Sequence, residues 1–405
     1  MSGDLLMSKK ERRRLRVLER VKMGIITLKT AAPLMGVSYR QAIRINDRYK
    51  QHGAVGLVHR SRGRESNRKA DPAVKEAILK RYEERYEGFG PTFAMEKLES
   101  EGYRVHHETL RRWLVEAGMW QRHRKRNAYR QRREPKKRFG EMVQLDGSHH
   151  RWFEDRSEEY SCLMSMVDDA TKTTYAFLAE EETTEAAMRL LWGWIERYGI
   201  PMSLYCDQKN VYITDREPTL EEQLQGIQPV TAFGKACEKL GIEIITAHSP
   251  QAKGRVERRH GVFQDRFVKE LRLQGISGID FANDVLEGGF LDDLNRRFTR
   301  AAIDPQDAHV KMHKRTELRT IFCFEKTRTV SNDWVVQNDN RYFQLLKDKK
   351  LDIRPKTKVT VAEWLDGSIH IVHQNREVPY EEIDPQVLQK IRTGRRIAEY
   401  ISMNA

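Results

Sequence analysis

The sequence is short of cysteine and contains no long apolar run. Its four cysteines, at positions 162, 206, 237 and 323, lack the paired spacing of zinc sites. Because cytosolic thiols stay reduced, we expect neither disulfides nor structural zinc. No segment approaches the ~20 apolar residues that a membrane-spanning helix needs. Residues 1–20 are basic, without the apolar run and cleavage site of a secretory signal, so we expect a cytoplasmic protein.

Basic residues outnumber acidic residues, with 73 Lys and Arg against 59 Asp and Glu. The formal net charge is +14 and the pI is about 9.5, a balance that attracts polyanions, above all nucleic acid. Ten Lys and Arg against one Glu fall between residues 121 and 140. This run predicts a linker that follows DNA phosphates through Arg124, Lys125, Arg132 and Arg133. The alternative is a solvated joint between domains, and both hold if the linker orders only on DNA.

The N-terminal region has the pattern of a helix-turn-helix. A helix is followed by two short helices that Gly36 separates, and Ser38 can cap the second. Because a proline inside a helix costs ~3 kcal/mol, Pro33 places the start of the first short helix near Thr30.

The second short helix has one apolar and one polar face. Ala42, Ile45 and Tyr49 share a face by the 3,4 spacing and should pack inward. The outer face then presents three side chains to base edges or phosphates, namely Arg40, Gln41 and Arg44. An αα-hairpin in a helical bundle is the alternative, against which the basic stretch HRSRGRESNRK speaks.

A second unit repeats this pattern. A helix over about residues 73–86 and a helix over TFAMEKLESEG precede a turn near Gly102 and a basic helix that carries Arg111 and Arg112. Two such units in tandem could span more than one face of a DNA duplex.

After the basic linker the sequence pattern changes to short apolar runs. EMVQLDG, EYSCLMSMVDD and TTYAFLAE predict three strands, and apolar residues at helical spacing predict a helix over 183–198. MSLYCD and IEIITA predict two further strands with a helix over about 231–240 between them. A long helix then starts at Ser249 as the cap, with Pro250 at its first position. The order βββαβαβα is the RNase H-like plan.

Three acids fall where that plan needs an active site. Asp146 is in the first strand, Asp207 ends the fourth strand, and Glu257 is on the late helix. For any one of these acids a turn or a solvated helix face is the ordinary role, but the trio in this order favours catalysis.

The chain resembles the DDE transposases and integrases, most closely bacterial insertion-sequence transposases of the ISNCY group. The resemblance covers almost the whole chain and rests on motifs in the family's order: VQLDGSHHRWFE, VDDAT, LYCD, FGKACEKLGIEII, AHSPQAKGRVER, DRFVKELRLQGIS, DLNRRF and TRTVSND. Two departures stand out. Asp207-Gln208-Lys209 replaces the Asp-Asn-Gly common in retroviral-type integrases, and ITDREPTLEEQLQGIQ lengthens the interval before Glu257.

The resemblance and the chemistry agree on a metal site. A phosphodiester gains negative charge as water or a 3′-hydroxyl attacks, and two Mg²⁺ (or Mn²⁺) ions held by hard oxygen ligands can neutralise it. We expect Asp146 to bridge the two ions, with Asp207 and Glu257 on either side.

Other polar residues near these acids have alternative roles. Asp168 and Asp169 are rival carboxylates, for which we favour a turn and capping role, and His149 and His150 are more often structural than metal ligands. Around Glu257, three basic residues are expected to grip phosphates, namely Lys253, Arg255 and Arg258.

The C-terminal part alternates apolar and polar residues between Asn, Asp and Gly turns, which predicts a small antiparallel barrel. In the resembled family this position often holds an SH3-like DNA-binding domain. Trp334, Tyr342 and Trp364 are predicted to fill its core.

These patterns predict a multidomain protein with all-α helix-turn-helix units, an α/β RNase H-like core and an SH3-like barrel. The predicted boundaries are 1–65 for the helix-turn-helix domain, 66–120 for the second helix-turn-helix or winged domain, 121–140 for the linker, 141–310 for the catalytic core, 320–385 for the barrel and 386–405 for a helical tail.

The predicted function is that of a DNA transposase on the bacterial nucleoid. It would bind the double-stranded ends of an insertion sequence, act as a homo-oligomer, and cut and rejoin phosphodiester bonds with metal ions. A catalytically inactive DNA-binding regulator and an RNase H-like nuclease are the alternatives. The intact acid trio opposes the first, and the tandem recognition units oppose the second.

Overall fold

The structure is a computed structural model that divides into two compact units, Met1–Lys80 and Arg81–Ala405. It describes residues 5–62, 70–122, 134–158, 160–224, 226, 228–246, 254–313, 317–347 and 353–384. Most of the basic linker, the predicted helix start at Ser249 and the tail 386–405 lie outside these residues. No helix among those described is both long and apolar enough to cross a membrane.

The first unit contains the helices α1 (Lys9–Lys22), α2 (Leu28–Met35) and α3 (Tyr39–His52). Gly36 ends α2 in the left-handed conformation with φ 67°, and the Ser38 hydroxyl caps α3. Their buried faces share one apolar core. The predicted helix-turn-helix arrangement of the first unit is therefore confirmed.

The predicted start of α2 is wrong by two residues. The helix begins at Leu28 because the Thr27 hydroxyl accepts a hydrogen bond from the Thr30 backbone N–H. Pro33 therefore lies inside the helix rather than in its first turn. It removes the hydrogen bond that its N–H would donate to the Lys29 carbonyl, a cost that this cap and the buried face of α2 offset.

Three further helices, α4 (Pro72–Arg85), α5 (Pro91–Ser100) and α6 (His107–Glu116), match the second predicted helical segment. The turn before α6 contains Gly102 with φ 95°, a conformation that favours glycine. The boundary between the two units falls inside α4, so α5 and α6 belong to the second unit.

A five-stranded mixed sheet forms the centre of the second unit. Its strands are β1 (Val143–His150), β2 (Ser161–Asp168), β3 (Thr174–Ala179), β4 (Ser203–Cys206) and β5 (Glu243–Thr246). The strand order is β3-β2-β1-β4-β5; β1 pairs antiparallel with β2 and parallel with β4. This places β1 at the centre of the sheet.

Helices cover this sheet in the predicted order. They are α7 (Thr184–Tyr198), α8 (Leu220–Leu224), α9 (Ala232–Leu240), α10 (Val256–Gln274), α11 (Ile279–Val285) and α12 (Leu291–Phe298). The predicted order βββαβαβα is confirmed, with α8 as an addition inside the segment that lengthens the interval before Glu257. The described part of α10 begins at Val256 with Arg255 as its N-cap.

The C-terminal part is all-β, as predicted. After a short helix α13 (Leu318–Ile321), its strands are β6 (Cys323–Thr329), β7 (Val335–Asn338), β8 (Arg341–Leu345), β9 (Lys358–Trp364), β10 (Ile369–His373), β11 (Arg376–Glu377) and β12 (Tyr380–Ile383). They form one sheet ordered β11-β10-β9-β6 and another ordered β12-β8-β7. Among the described strands the pairings do not close a barrel.

The prediction that Trp334, Tyr342 and Trp364 fill this core is wrong. Trp334 is 44% exposed and the other two are half-buried. The core is filled instead by Phe343 and a set of aliphatic residues, chiefly valine and isoleucine. The Trp334 indole N–H donates to a backbone carbonyl, and Trp364 stacks on His370, so both rings keep a polar or stacked neighbour at the surface.

Candidate active site and nucleic-acid interface

Two of the three predicted acids stand at the same level of neighbouring strands. Val143 and Gln144 of β1 pair in parallel with Leu204 and Tyr205 of β4. Continued by two residues, this register sets Asp146 beside Asp207, and neighbouring strands are ~4.8 Å apart. The Asp146 side chain is 14% exposed and that of Asp207 is 28% exposed, so both reach the surface from a buried sheet.

Glu257 lies in the first turn of α10, and the sheet holds that turn. The backbone N–H of Val256 donates to Gln144 Oε1 at 3.2 Å, and Gln144 Nε2 donates to Asp169 Oδ1 at 3.0 Å. Arg255 Nη1 donates to the same carboxylate oxygen at 2.6 Å. Since Gln144 is two residues before Asp146 on β1, this network places the start of α10 next to the first acid.

A second contact fixes α10 one turn further on. His260 Nε2 lies 2.8 Å from the Ser165 hydroxyl, and Ser165 is the cross-strand partner of Asp146. His260 Nδ1 is 4.0 Å from Asp146 Oδ2. His260 is buried and follows Glu257 by three residues, so both lie on neighbouring parts of one helix face.

The donor atoms of these acids fit a hard divalent cation. All three predicted ligands are carboxylates, and Glu257 is exposed at the start of its helix. Carboxylate oxygens are the ligands that Mg²⁺ prefers. Ser165 and His260 are buried beside Asp146: the Ser165 hydroxyl donates to its backbone carbonyl at 3.4 Å, and His260 Nδ1 lies 4.0 Å from its carboxylate.

A fourth carboxylate adjoins the site and was missed by the sequence analysis. The Glu182 side chain is 4% exposed, accepts a hydrogen bond from the Tyr212 hydroxyl at 2.8 Å and contacts Lys209 Nζ at 2.5 Å. Lys209 Nζ also lies 3.6 Å from Asp207 Oδ2. Burial opposes the lysine charge, but Glu182 and Asp207 outweigh it and raise the pKa of Lys209. The Asp207-Gln208-Lys209 departure was the one sequence signal of this arrangement.

The rival carboxylates are used elsewhere. Asp168 accepts hydrogen bonds from the backbone of Gly140 and from the backbone and hydroxyl of Thr171, which organises the turn after β2. Burial raises the pKa of Asp168. Its predicted turn role is confirmed, whereas Asp169 joins Arg255 and Gln144 and thereby anchors α10.

His149, Cys162 and Glu182 bring one ligand atom each within 4.8 Å of one another. Burial raises the pKa of the Cys162 thiol to about 12. Glu182 is already engaged by Lys209 and Tyr212. His150 is half-buried against Trp152, and burial lowers its pKa.

The predicted recognition residues of α3 are exposed. Ala42 and Ile45 are buried and Tyr49 is half-buried, as their spacing predicts. The opposite face presents side chains that are all exposed, namely Arg40, Gln41 and Arg44.

On α6, by contrast, Arg111 forms a two-point ion pair with Glu108 at 2.8 and 2.6 Å, and Arg112 is exposed. Near Glu257, Arg255 is tied to Asp169, while Arg258 is exposed and donates to the Gly254 carbonyl. Five predicted DNA contacts lie outside the described residues: Arg124, Lys125, Arg132, Arg133 and Lys253.

Comparison with known proteins adds sequence relatives. The family described as winged helix-turn helix matches residues 14–76. The putative transposase y4bF of Sinorhizobium fredii is 34% identical over 385 residues, which is 94% of this chain and 83% of that protein. The transposase for insertion sequence IS1202 of Streptococcus pneumoniae is 27% identical over 398 residues, 88% of this chain and 82% of that protein.

Solved structures give weaker likenesses. The catalytic core domain of HTLV-2 integrase, in complex with magnesium, has a TM-score of 0.28 at 17% identity and covers 38% of this chain and 86% of that one. A simian T-cell lymphotropic virus intasome chain has a TM-score of 0.33 at 15% identity, covering 76% and 99%. Assignment follows from the sequence relatives: the chain belongs to the DDE transposase and integrase superfamily, as an insertion-sequence transposase.

Proposed function

We propose that Asp146, Asp207 and Glu257 are the catalytic, metal-binding residues of this transposase. The observation that supports the proposal is the register of β1 and β4, whose continuation by two residues would bring the first two acids to the same level of neighbouring strands. The Gln144 bridge to Val256 supports the third, because it ties the first turn of α10 to the same strand.

The three carboxylates would together hold two Mg²⁺ or Mn²⁺ ions. When bound, the ions supply activation of the attacking oxygen and neutralisation of the charge on the leaving oxygen. The chain's own residues orient the acids. Ser165 and His260 support Asp146, Lys209 steadies Asp207, and the Gln144–Asp169–Arg255 network holds the helix turn that carries Glu257.

DNA binding is divided between a reading surface and sequence-blind contacts. Arg40, Gln41 and Arg44 of α3 would read the element ends, because exposed polar side chains on a recognition helix can reach base edges. The linker 121–140 would follow the backbone. The second helical segment and the two-sheet C-terminal part, with its family likeness to SH3-like domains, are further candidate DNA contacts. We propose a homo-oligomer that pairs two ends.

The decisive experiment compares Glu257→Gln with Asp265→Asn, an acid-to-amide change further along the same helix. Glu257→Gln should bind a duplex of the element's end within a few-fold of wild type but lose metal-dependent cleavage and strand transfer, because a ligand charge is removed and the helix is kept. Asp265→Asn should retain both activities. Cleavage by Glu257→Gln at near wild-type rate would overturn the catalytic assignment.

The linker is tested through the salt dependence of binding. Each phosphate contact contributes about 0.9 to the slope of log affinity against log salt. Neutralising Arg124, Lys125, Arg132 and Arg133 together should flatten that slope by up to about 3–4, equally for end and random duplexes. An unchanged slope would reduce the linker to a tether.

A further inference from the structure

Four basic side chains converge on a small cavity behind the active-site helix. The cavity is about 120 Å³ in volume, and its lining joins the turn after β2 to α10 and the end of α12. The lining residues are Val167, Lys172, Arg255, Arg258, Arg259, Val262 and Phe298. Among these described residues there are four cations and no acid.

One of these cations is buried. Arg259 is 5% exposed, donates from Nη2 to the Lys172 carbonyl at 2.8 Å and lies over the Phe298 ring at 5.5 Å. Taking a guanidinium out of water is costly unless a charge or several hydrogen bonds replace the water. The neutral carbonyl and ring offset only part of that cost.

Repulsion adds to the cost of this arrangement. Arg255 and Arg259 are four residues apart on one helix face, where like charges destabilise a helix. Of the four cations that line the cavity, Arg255 forms the ion pair that the structure shows with Asp169. Burial first, and then the nearby arginines including Arg300, lower the pKa of Lys172. An anion in the cavity would offset both the cost of burying the Arg259 charge and the repulsion among the cations.

The size and position of the cavity select the anion. Pockets that enclose drug-sized ligands are ~300–1,000 Å³, so this cavity takes a small group such as a phosphate. It also adjoins the end of the basic linker, since the Lys136 backbone N–H donates to Asp169 Oδ2 at 2.7 Å. At about 100° per residue, Arg255 and Arg259 lie nearly opposite Glu257 around α10. A phosphate held here is therefore not the reacting one.

We propose that this cavity is a binding site for one backbone phosphate of the DNA, next to the strand that the linker follows and on the other flank of α10 from the acids. Lys172, Arg258 and Arg259 are its contacts, with Arg255 held beside them by Asp169. The proposal rests on the proposed DNA transposase function and adds to it a contact that fixes the duplex against the core.

The test uses the full chain and measures the salt slope of binding to a labelled end duplex. Lys172→Asn removes the charge while suiting the positive φ of 68° at this position, and Arg258→Gln removes an exposed charge. Because both residues hold one phosphate, the double variant should reduce the slope by about 0.9, and each single variant by no more than that. The matched control removes two exposed cations that pair with acids, Arg189→Gln with Arg296→Gln, and should leave the slope unchanged.

The outcomes separate the cavity from the wider function. A slope equal to wild type in the double variant overturns the proposal, and so does a reduction of about 1.8, which would mean two separate contacts. Inorganic phosphate could protect the wild type, but not the double variant, against heat while the salt slope of the double variant stays unchanged. That result would make the cavity a site for free anions and would also overturn the proposal. If the wild-type chain neither binds nor cleaves end DNA, the proposed function itself fails instead. Phosphate-ethylation interference should show one position that matters to wild type and not to the double variant.

Discussion

The helices α3 and α6 share a sequence pattern, a glycine turn followed by a basic helix, but differ in what their arginines do. On α3, Arg40 and Arg44 are exposed, and their side chains form no ion pair within the part of the chain that the structure describes. On α6, Arg111 is held by Glu108. A turn and a basic helix therefore predict the fold of a segment better than they predict a surface available to DNA.

The helices α3 and α6 also differ in what surrounds them. Its partner helix α5 packs on the active-site helix α10: Glu96 accepts two hydrogen bonds from Arg266 at 2.5 and 2.9 Å, and the Arg266 guanidinium lies 4.8 Å from the Phe93 ring centre. Phe93 stacks on Phe89 with 5.2 Å between ring centres. The helices α1 to α3 belong to the first compact unit, whereas α5 and α6 belong to the second, which contains the five-stranded sheet.

The largest effect on DNA preference and stability should come from two N-terminal deletions, one that removes α1 to α3 and one that also removes α4 to α6. Removing residues 1–70 should abolish preference for the element end yet leave metal-dependent, sequence-indifferent nicking and a cooperative unfolding transition. Removing residues 1–118 also strips Phe89 and Phe93 from α10, and losing a buried aromatic costs ~3–5 kcal/mol. The longer deletion should lower Tm by about 10–20 °C relative to the shorter one. Equal Tm values for the two truncations would show that α5 does not support the core.

The next effect concerns reading of the end sequence. Arg44→Ala should reduce preference for the end over random DNA by about 5–150-fold, because a good base contact is worth ~1–3 kcal/mol. Arg111→Ala should change preference less than about threefold, because the two-point pair with Glu108 keeps this guanidinium away from base edges. Competition binding with end and random duplexes measures both. A larger loss for Arg111→Ala would make α6 the reading helix.

A smaller effect should follow from breaking the contact between α5 and α10. Arg266→Met removes a largely buried ion pair and a ring contact, and we expect a loss of about 1–3 kcal/mol in the free energy of unfolding. Arg296→Gln, which breaks an exposed pair with Asp293, is the control and should cost below about 0.5 kcal/mol. Urea unfolding of the full chain reports both. Similar small losses would mean that α5 rests loosely on the core.

The smallest effect is a dependence on pH within the first unit. The backbone N–H of Ser8, with the serine hydroxyl and Arg62, lowers the pKa of Glu11 from 4.5 to about 2. Because the folded pKa is lowered, the stabilisation is complete above about pH 4.5 and is lost as pH falls towards 2. Glu11→Gln should flatten the fall in Tm of an isolated 1–70 fragment over that window. If the variant keeps the wild-type profile, another acid controls it.

The fold was largely predictable because its periodic patterns are strong. The short apolar runs of β1 to β3 and the apolar stripe of α7 gave the correct elements, and Gly36 and Ser38 marked real helix ends. The helix start predicted from Pro33 was wrong, because the Thr27 cap and the burial of α2 outweighed the cost of a proline inside the helix. The predicted core role of the C-terminal aromatic residues was also wrong, because mainly aliphatic residues fill the core of the C-terminal sheets.

The acids of the candidate site could be proposed from their order, but their supports could not. Gln144 and Asp169 join distant parts of the chain, and neither has a sequence signature. Glu182 comes close to Lys209 only because β3 and β4 belong to the same sheet and α7 joins them. Such contacts depend on tertiary geometry, which local spacing does not contain.

Gly147, the residue after Asp146, limits how this site can evolve. A Cβ at this position would overlap the Glu182 carboxylate and the Cys162 sulfur. A side chain there would require the Glu182 carboxylate and the Cys162 sulfur to shift, and Glu182 is the hydrogen-bond partner of Lys209, which also lies 3.6 Å from Asp207. We therefore expect a side chain at position 147 to be tolerated best in a relative where residues 182 and 162 are both smaller, so that the three positions would change together.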